Sequence, residues 1–200
     1  VIGAHSGSLL GLSETLIWAR KESAFGYTQR KGMKYPIERK SSNRWLQSAQ
    51  SSKERLDQAS SITFIADRES DIYQALVSLP NQKTNFIIRS DKNRNIAQAA
   101  AKIETYLEEL PAAGTFSFTL KADKRIGRKK RKATLEVRFS SIDLLRPHKA
   151  KSTNIRAYPP KVKLQVVEAR EINPPKGVEP IHWRLYTSHQ VENLQMAHQI

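Results

Sequence analysis

Apolar residues recur along this chain first at helical spacing and in short continuous runs, and later at every second position. Trp45, Leu46, Ala49 and Leu56 follow a near-helical period and predict a helix from Asn43 to about Ala59. The helix leads into Ile62-Thr63-Phe64-Ile65-Ala66, an apolar run that predicts a buried strand and stops abruptly at Asp67. Glu69 and Asp71 are acids of the kind favoured at a helix start. Ile72, Tyr73, Leu76 and Leu79 give that helix its apolar face, and Pro80 stops it. Asn85 to Arg89 predicts a second short strand, and a further helix is predicted over Ile96 to Leu110, closed by Pro111 and Gly114. This alternation of helix and strand is the rhythm of an α/β core. Upstream, Leu9 to Arg20 reads as a strand pair or a bent strand with Leu12, Leu16 and Trp18 on one face. Gly26 to Ser42, broken by Gly32 and Pro36, reads as a surface loop.

From about residue 112 the period becomes two. Phe116, Phe118 and Leu120 alternate with Ser and Thr, and Leu135, Val137 and Phe139 alternate with Thr134, Glu136 and Arg138. These predict the arms of a hairpin with a long tip from Lys121 to Lys132. Val162, Leu164 and Val166 continue the alternation, so residues 115–170 read as an antiparallel sheet set apart from the α/β core. Pro174-Pro175-Lys176-Gly177 is a turn, Trp183 to Thr187 returns to strand character, and the chain is helical in phase from Val191.

Charge follows the same division. The chain carries 34 Lys and Arg against 19 Asp and Glu, and residues 121–170 alone carry 16 against 4. An excess of this size in one quarter of a 200-residue chain predicts a polyanionic partner. The chain has no cysteine, which removes disulfides and thiolate metal sites. It has no apolar run of the ~20 residues that span a bilayer, so it is expected in the cytoplasm. It begins with Val1 and ends in helical phase at Ile200, and reads as part of something longer.

Three features offer chemistry. A carboxylate at the C-terminal lip of a buried strand, here Asp67, can present an oxygen ligand to Mg²⁺ or can simply cap the next helix. Lys124, Arg125, Arg128, Lys129, Lys130, Arg131 and Lys132 put seven cations into nine residues. Their mutual repulsion without a counter-charge favours phosphate binding over a merely solvated loop. Trp183 reads as a core tryptophan or as a platform for an unpaired base, the core being the plainer reading. Glu69 and Asp71 are accounted for by surface ion pairing. The five histidines show no metal-ligand spacing and read as surface or structural residues.

Taken together and in order, Asp67-Arg68-Glu69-Ser70-Asp71-Ile72, Phe86-Ile87-Ile88-Arg89-Ser90 and Glu171-Ile172-Asn173-Pro174-Pro175-Lys176-Gly177 closely resemble the DDE transposases of the insertion-sequence-four family. The likeness extends through Trp183-Arg184-Leu185-Tyr186-Thr187-Ser188 and backward to Trp45 and Leu9–Arg20. It implies an α/β fold with an RNase H-like core interrupted by an antiparallel β-rich insertion: residues 1–111 the first part of the core, 112–182 the insertion with its basic hairpin, and 183–200 the return to the core. It implies that Asp67 is the second acid of a DDE triad. Three carboxylates would hold two Mg²⁺ or Mn²⁺ ions, which activate a water and then a DNA 3′-hydroxyl for in-line attack on a phosphodiester. Arg89 matches an arginine that contacts DNA near the cleaved end, and Trp183 a tryptophan against which a flipped base packs. DNA, as transposon end and target, is the implied partner, with a homodimer in the synaptic complex and a bacterial cytoplasm as the setting.

The family's first Asp would lie upstream of Val1, and its Glu, in a Tyr-x-x-Arg-x-x-x-Glu helix, beyond Ile200. Residues 1–200 therefore carry one of three catalytic carboxylates and are expected to be inactive alone. Ser41 stands where the family usually has an acid, and Asp91 where it often has a cation. The competing expectation is a non-enzymatic DNA-binding module derived from a decayed transposase. A nuclease of the same fold that cleaves without joining is a weaker third.

Overall fold

The computed structural model describes residues 1–17, 42–98, 101–148 and 153–200. The predicted loop Gly26–Ser42 falls almost wholly outside them, as does Trp18. Helix α1 (Asn43–Arg55) buries Leu46, Ala49 and Ser52, and Lys53 and Arg55 in its last turn complement the helix dipole. It ends four residues short of Ala59 and leaves Trp45 exposed at its start. Strand β1 (Ile62–Ala66) stops at Asp67 as the apolar run predicts, but it is not the buried strand expected: it lies at the sheet edge, and Ile65 is 78% exposed. A 3-10 turn (Arg68–Ser70) comes next, and α2 (Tyr73–Ser78) begins only after it. Strand β2 is Thr84–Arg89 and helix α3 is Ile103–Glu109. The helix predicted from Ile96 starts later because Ile96 is fully buried as a β-bridge to Leu144, where packing on the sheet outweighs helical period.

Strands β3 (Gly114–Leu120), β4 (Arg131–Leu145), β5 (Lys161–Glu171) and β6 (His182–Thr187) come after α3, then helix α4 (Leu194–Gln199), whose Asn193 cap accepts from the Met196 N–H. The six strands form one mixed sheet in the order β1-β2-β6-β5-β4-β3, parallel between β1 and β2 and antiparallel elsewhere. The antiparallel strands are therefore not a sheet set apart. β6 lies between β2 and β5, pairing Ile88 with Tyr186 and Tyr186 with Val166, so the backbone ladder runs unbroken from β1 to the basic hairpin. Nor does Leu9–Arg20 form the predicted strands within the described residues. Only an Ile2–Leu9 bridge forms there, and Leu12 and Leu16 are exposed, with no described strand beside them to pair with.

The sheet buries a core on each face. On one, Phe86, Ile88, Ile142, Leu144, Val166 and Tyr186 pack with Leu46 of α1, Tyr73 and Leu76 of α2, and Ile103 and Leu107 of α3. On the other, Leu135, Val137, Val167 and Ala169 pack with Ala197 and Leu194 of α4. Gly114 lets β3 pass close to this helix: a Cβ there would lie 2.5 Å from Leu194 Cδ2. Among the described residues no helix is long and apolar enough to cross a membrane.

Within the first core sits an ion pair that the sequence reading placed on the surface. Asp71, 1% exposed, accepts from the Asp91 and Lys92 backbone N–H groups at 2.9 and 3.1 Å and from Arg94 Nε and Nη2 at 2.9 and 2.6 Å. It thereby ties the loop after β2 to the turn after β1. Glu69, by contrast, does make a surface pair, with Arg44 at 2.5 Å, and also accepts from Trp45 Nε1. Removing one partner of a buried pair leaves the other charge uncompensated. Asp71→Ala is expected to lower unfolding free energy by about 3–5 kcal/mol in urea titrations, far more than Glu69→Ala.

Candidate nucleic-acid interface

Sheet register decides which side chains can act together. Asp67 continues β1 beyond the Ala66–Ile88 pair and so falls opposite Arg89, which pairs with Leu185. Side chains directly opposite share a face, and residues two apart on a strand share it too. Asp67, Arg89, Leu185 and Trp183 therefore project from one face of the sheet, the face that carries α4. With neighbouring strands ~4.8 Å apart, Asp67 and Trp183 are about 12 Å from each other.

The same register places them at one end of the sheet. Moving past Arg89 toward the C-terminal end of β2 leads to the start of β6, the end of β5 and the start of β4, where the basic turn lies. Phe139 lies in the Arg89 row, and from there β4 runs eight residues further to Arg131, about 27 Å. The hairpin therefore extends well beyond the end at which Asp67 and Arg89 emerge. The carboxyl ends of parallel strands are where open α/β sheets commonly hold their ligands.

Asp67 has an exposed carboxylate (75%), with Arg89 Nη1 3.8 Å from Oδ1. The turn behind it is fixed by the Ser70 N–H donating to the Asp67 carbonyl at 2.9 Å. Beside it a groove of about 290 Å³ runs between α1 and β1, lined by Trp45, Ser48, Phe64, Ile65 and Leu79. As for a metal, the nearby acids are engaged elsewhere, Glu69 by Arg44 and Asp71 by Arg94. Among the described residues no three acids or histidines gather into a possible ion site. One carboxylate does not displace the hydration of Mg²⁺, so the described residues alone do not fit a two-ion centre.

Trp183 is 37% exposed and so is not the core tryptophan of the plainer reading. Its ring stacks on Phe118 at 6.0 Å and borders a cavity of about 260 Å³ lined by Phe116, Val137, Val167, Leu185 and His198. His198, read as an ordinary histidine, lies 4.7 Å from the Phe116 ring.

The basic segment is shorter as a turn, and better held, than its sequence suggests. Arg131 and Lys132 are strand residues paired with Leu120 and Thr119. Between them and β3, an Asp123–Arg128 bridge closes a 3-10 turn at Lys124–Ile126, with Asp123 accepting from the Arg125 N–H and Gly127 at φ 66° closing it. Lys124, Arg125, Arg128, Lys129, Lys130 and Lys132 are exposed. Arg131 departs from that set. Its guanidinium forks onto the buried Glu171 carboxylate, one contact being Nη2 to Oε2 at 3.0 Å, and Glu171 also accepts from the Ile181 N–H. Arg131 thus anchors the hairpin to β5 instead of extending toward solvent. Neither this pair nor Asp71–Arg94 was signalled by local spacing, since the partners are 40 and 23 residues apart.

No protein-family model matches the chain.

The Arg131 guanidinium holds the Glu171 carboxyl below the ordinary glutamate range. A carboxylate whose pKa falls on folding stabilises the fold above its unfolded value and loses that contribution as pH falls through the depressed one. Glu171→Gln is therefore expected to be less stable than the unsubstituted chain at neutral pH, with the gap closing below about pH 4 in urea unfolding followed against pH.

Proposed function

We propose that this chain is the DNA-handling part of a cut-and-paste DDE transposase resembling the insertion-sequence-four family, its α/β portion organised on RNase H-like lines. The observation that carries the reading is the register. Asp67, Arg89 and Trp183, matched to that family from three separate sequence segments, stand on one face at one end of a continuous sheet, beyond which the basic hairpin extends. Parts scattered over more than 100 residues of sequence are brought within one short stretch of nucleic acid.

Each group then has a physical task. Lys124, Arg125, Arg128, Lys129, Lys130 and Lys132 neutralise backbone phosphates, which holds a duplex without reading its sequence. Arg89, with a planar fork suited to phosphate, engages the strand next to Asp67. Trp183, backed by Phe118 and bordering an open apolar cavity, offers a stacking face to an extruded base at the transposon end. Asp67 marks where the scissile phosphate would lie. In the complete enzyme the Mg²⁺ or Mn²⁺ chemistry would need two further carboxylates, so residues 1–200 are expected to bind DNA without cutting or joining it. A homodimer would bring two such faces to a pair of transposon ends.

Three measurements test this. Log affinity for a non-cognate duplex is expected to fall linearly with log salt, and the double substitution Lys129→Ala with Lys130→Ala to reduce that slope by about 1.8 while weakening all duplexes alike. Trp183→Ala should weaken binding to DNA with an unpaired base by about 1–3 kcal/mol and leave fully paired duplex unaffected. A strand-transfer assay with Mg²⁺ on residues 1–200 should give no product; product would remove Asp67 from a three-carboxylate triad.

A further inference from the structure

β6 presents His182, Trp183 and Arg184 in succession, so strand pleating sends Trp183 to one face and its two neighbours to the other. On that opposite face both neighbours reach one acid. Glu168 Oε1 lies 2.8 Å from His182 Nε2, 3.3 Å from Arg184 Nη2 and 3.4 Å from Arg184 Nε. Glu168 stands directly across from Arg184 in the β5–β6 register and its side chain is only 6% exposed. A charged side chain withdrawn from water this far is costly without partners, and the two it has flank Trp183.

The place where this happens is the least supported part of β6. Its ladder with β2 pairs Thr187, Tyr186 and Leu185, and one further backbone bond runs from the Ser90 N–H to the Arg184 carbonyl. Among the described residues, the strand at Trp183 and His182 pairs with β5 alone. A strand laddered on one side twists more freely than one held on both, and the indole angle follows the twist. Among the described residues, the other charged groups beside Glu168 on this face have partners or face solvent. Arg138, opposite Glu168 on β4, is engaged by Glu136 at 2.7 Å and by the Leu110 carbonyl at 2.9 Å. Glu104 of α3 lies 4.0 Å from Arg184, and Arg170 is exposed.

We propose that Glu168 is a positioning residue for Trp183. By gripping the residues before and after the tryptophan from behind the sheet, it adds side-chain support where β2 no longer pairs and fixes the angle at which the indole faces Phe118 and the cavity. That the held ring serves to stack a base rests on the function proposed above; that Glu168 holds it does not.

The test separates the two. Near-ultraviolet circular dichroism of the unsubstituted chain minus that of Trp183→Phe isolates the signal of the Trp183 ring. Glu168→Ala is expected to lose at least about half of this signal, and Glu168→Gln, which keeps an acceptor in place, to retain most of it. His182→Ala removes one half of the grip at an exposed position and is expected to fold and to lose a smaller part. It decides the matter should Glu168→Ala fail to fold. A Trp183 signal unchanged in folded Glu168→Ala, or in His182→Ala when that alone folds, overturns the proposal.

In a second arm, a duplex with an unpaired 2-aminopurine reports stacking by fluorescence quenching. Glu168→Ala should weaken its binding about 3- to 10-fold, less than Trp183→Ala. Loss in Trp183→Ala with none in Glu168→Ala overturns the positioning role and leaves stacking intact. No loss in Trp183→Ala removes stacking, while the dichroism still decides whether Glu168 holds the ring.

Discussion

The buried pair of Asp71 with Arg94 is what the arrangement of this protein depends on most directly. Asp71 lies four residues after Asp67, and Arg94 five after Arg89, so one interaction clamps together the two chain segments leaving β1 and β2. Backbone N–H groups of Asp91 and Lys92 complete the carboxylate's hydrogen bonding, which is why an ionised acid is tolerated there at all. Without the clamp each loop would be free to leave the sheet end independently. With it, Asp67 and Arg89 keep the separation that the parallel ladder behind them sets.

A second layer of order comes from β6. Inserted between a strand of the α/β half and a strand of the antiparallel half, it converts two sequence regions of different period into one surface. Tyr186 at its centre is fully buried between Ile88 and Val166, and burial pushes its hydroxyl up to about 12. Two ion pairs brace this region: Glu168 with Arg184 across the β5–β6 pair, and Arg131 with Glu171 at the root of the hairpin. The exposed cations lie beyond, on the turn.

How much of this was legible in the sequence varies with the range of the interaction that decides it. β1, β2, the period-two strands and their turns were readable because each is set by residues within a few positions: the apolar run ending at Asp67, the Phe116-Phe118-Leu120 alternation, Pro174 to Gly177. The late start of α3 was not, because Ile96 is claimed by Leu144, 48 positions away. Nor could spacing show that the two strand sets join, since nothing local distinguishes Trp183–Thr187 as a bridging strand from an edge. Asp67, Arg89, Trp183 and the basic segment could be singled out as candidates from short motifs and a local run of charge. Glu168, Arg94 and the engagement of Arg131 were missed, because long-range partners leave no periodic trace.

The seam also governs the order in which the chain can assemble. β2 waits for a neighbour that is made almost one hundred residues later, since Ile88 must meet Tyr186 across the whole antiparallel meander. Such distant pairing is slow, because the closure entropy is spent before the contact is won. As the polypeptide leaves the ribosome, its first half must therefore persist with an unfinished sheet margin until the Pro174–Gly177 turn has emerged and β6 can slot home. Cutting the chain near residue 112 would not release two self-sufficient domains but would strand one of them in that waiting state.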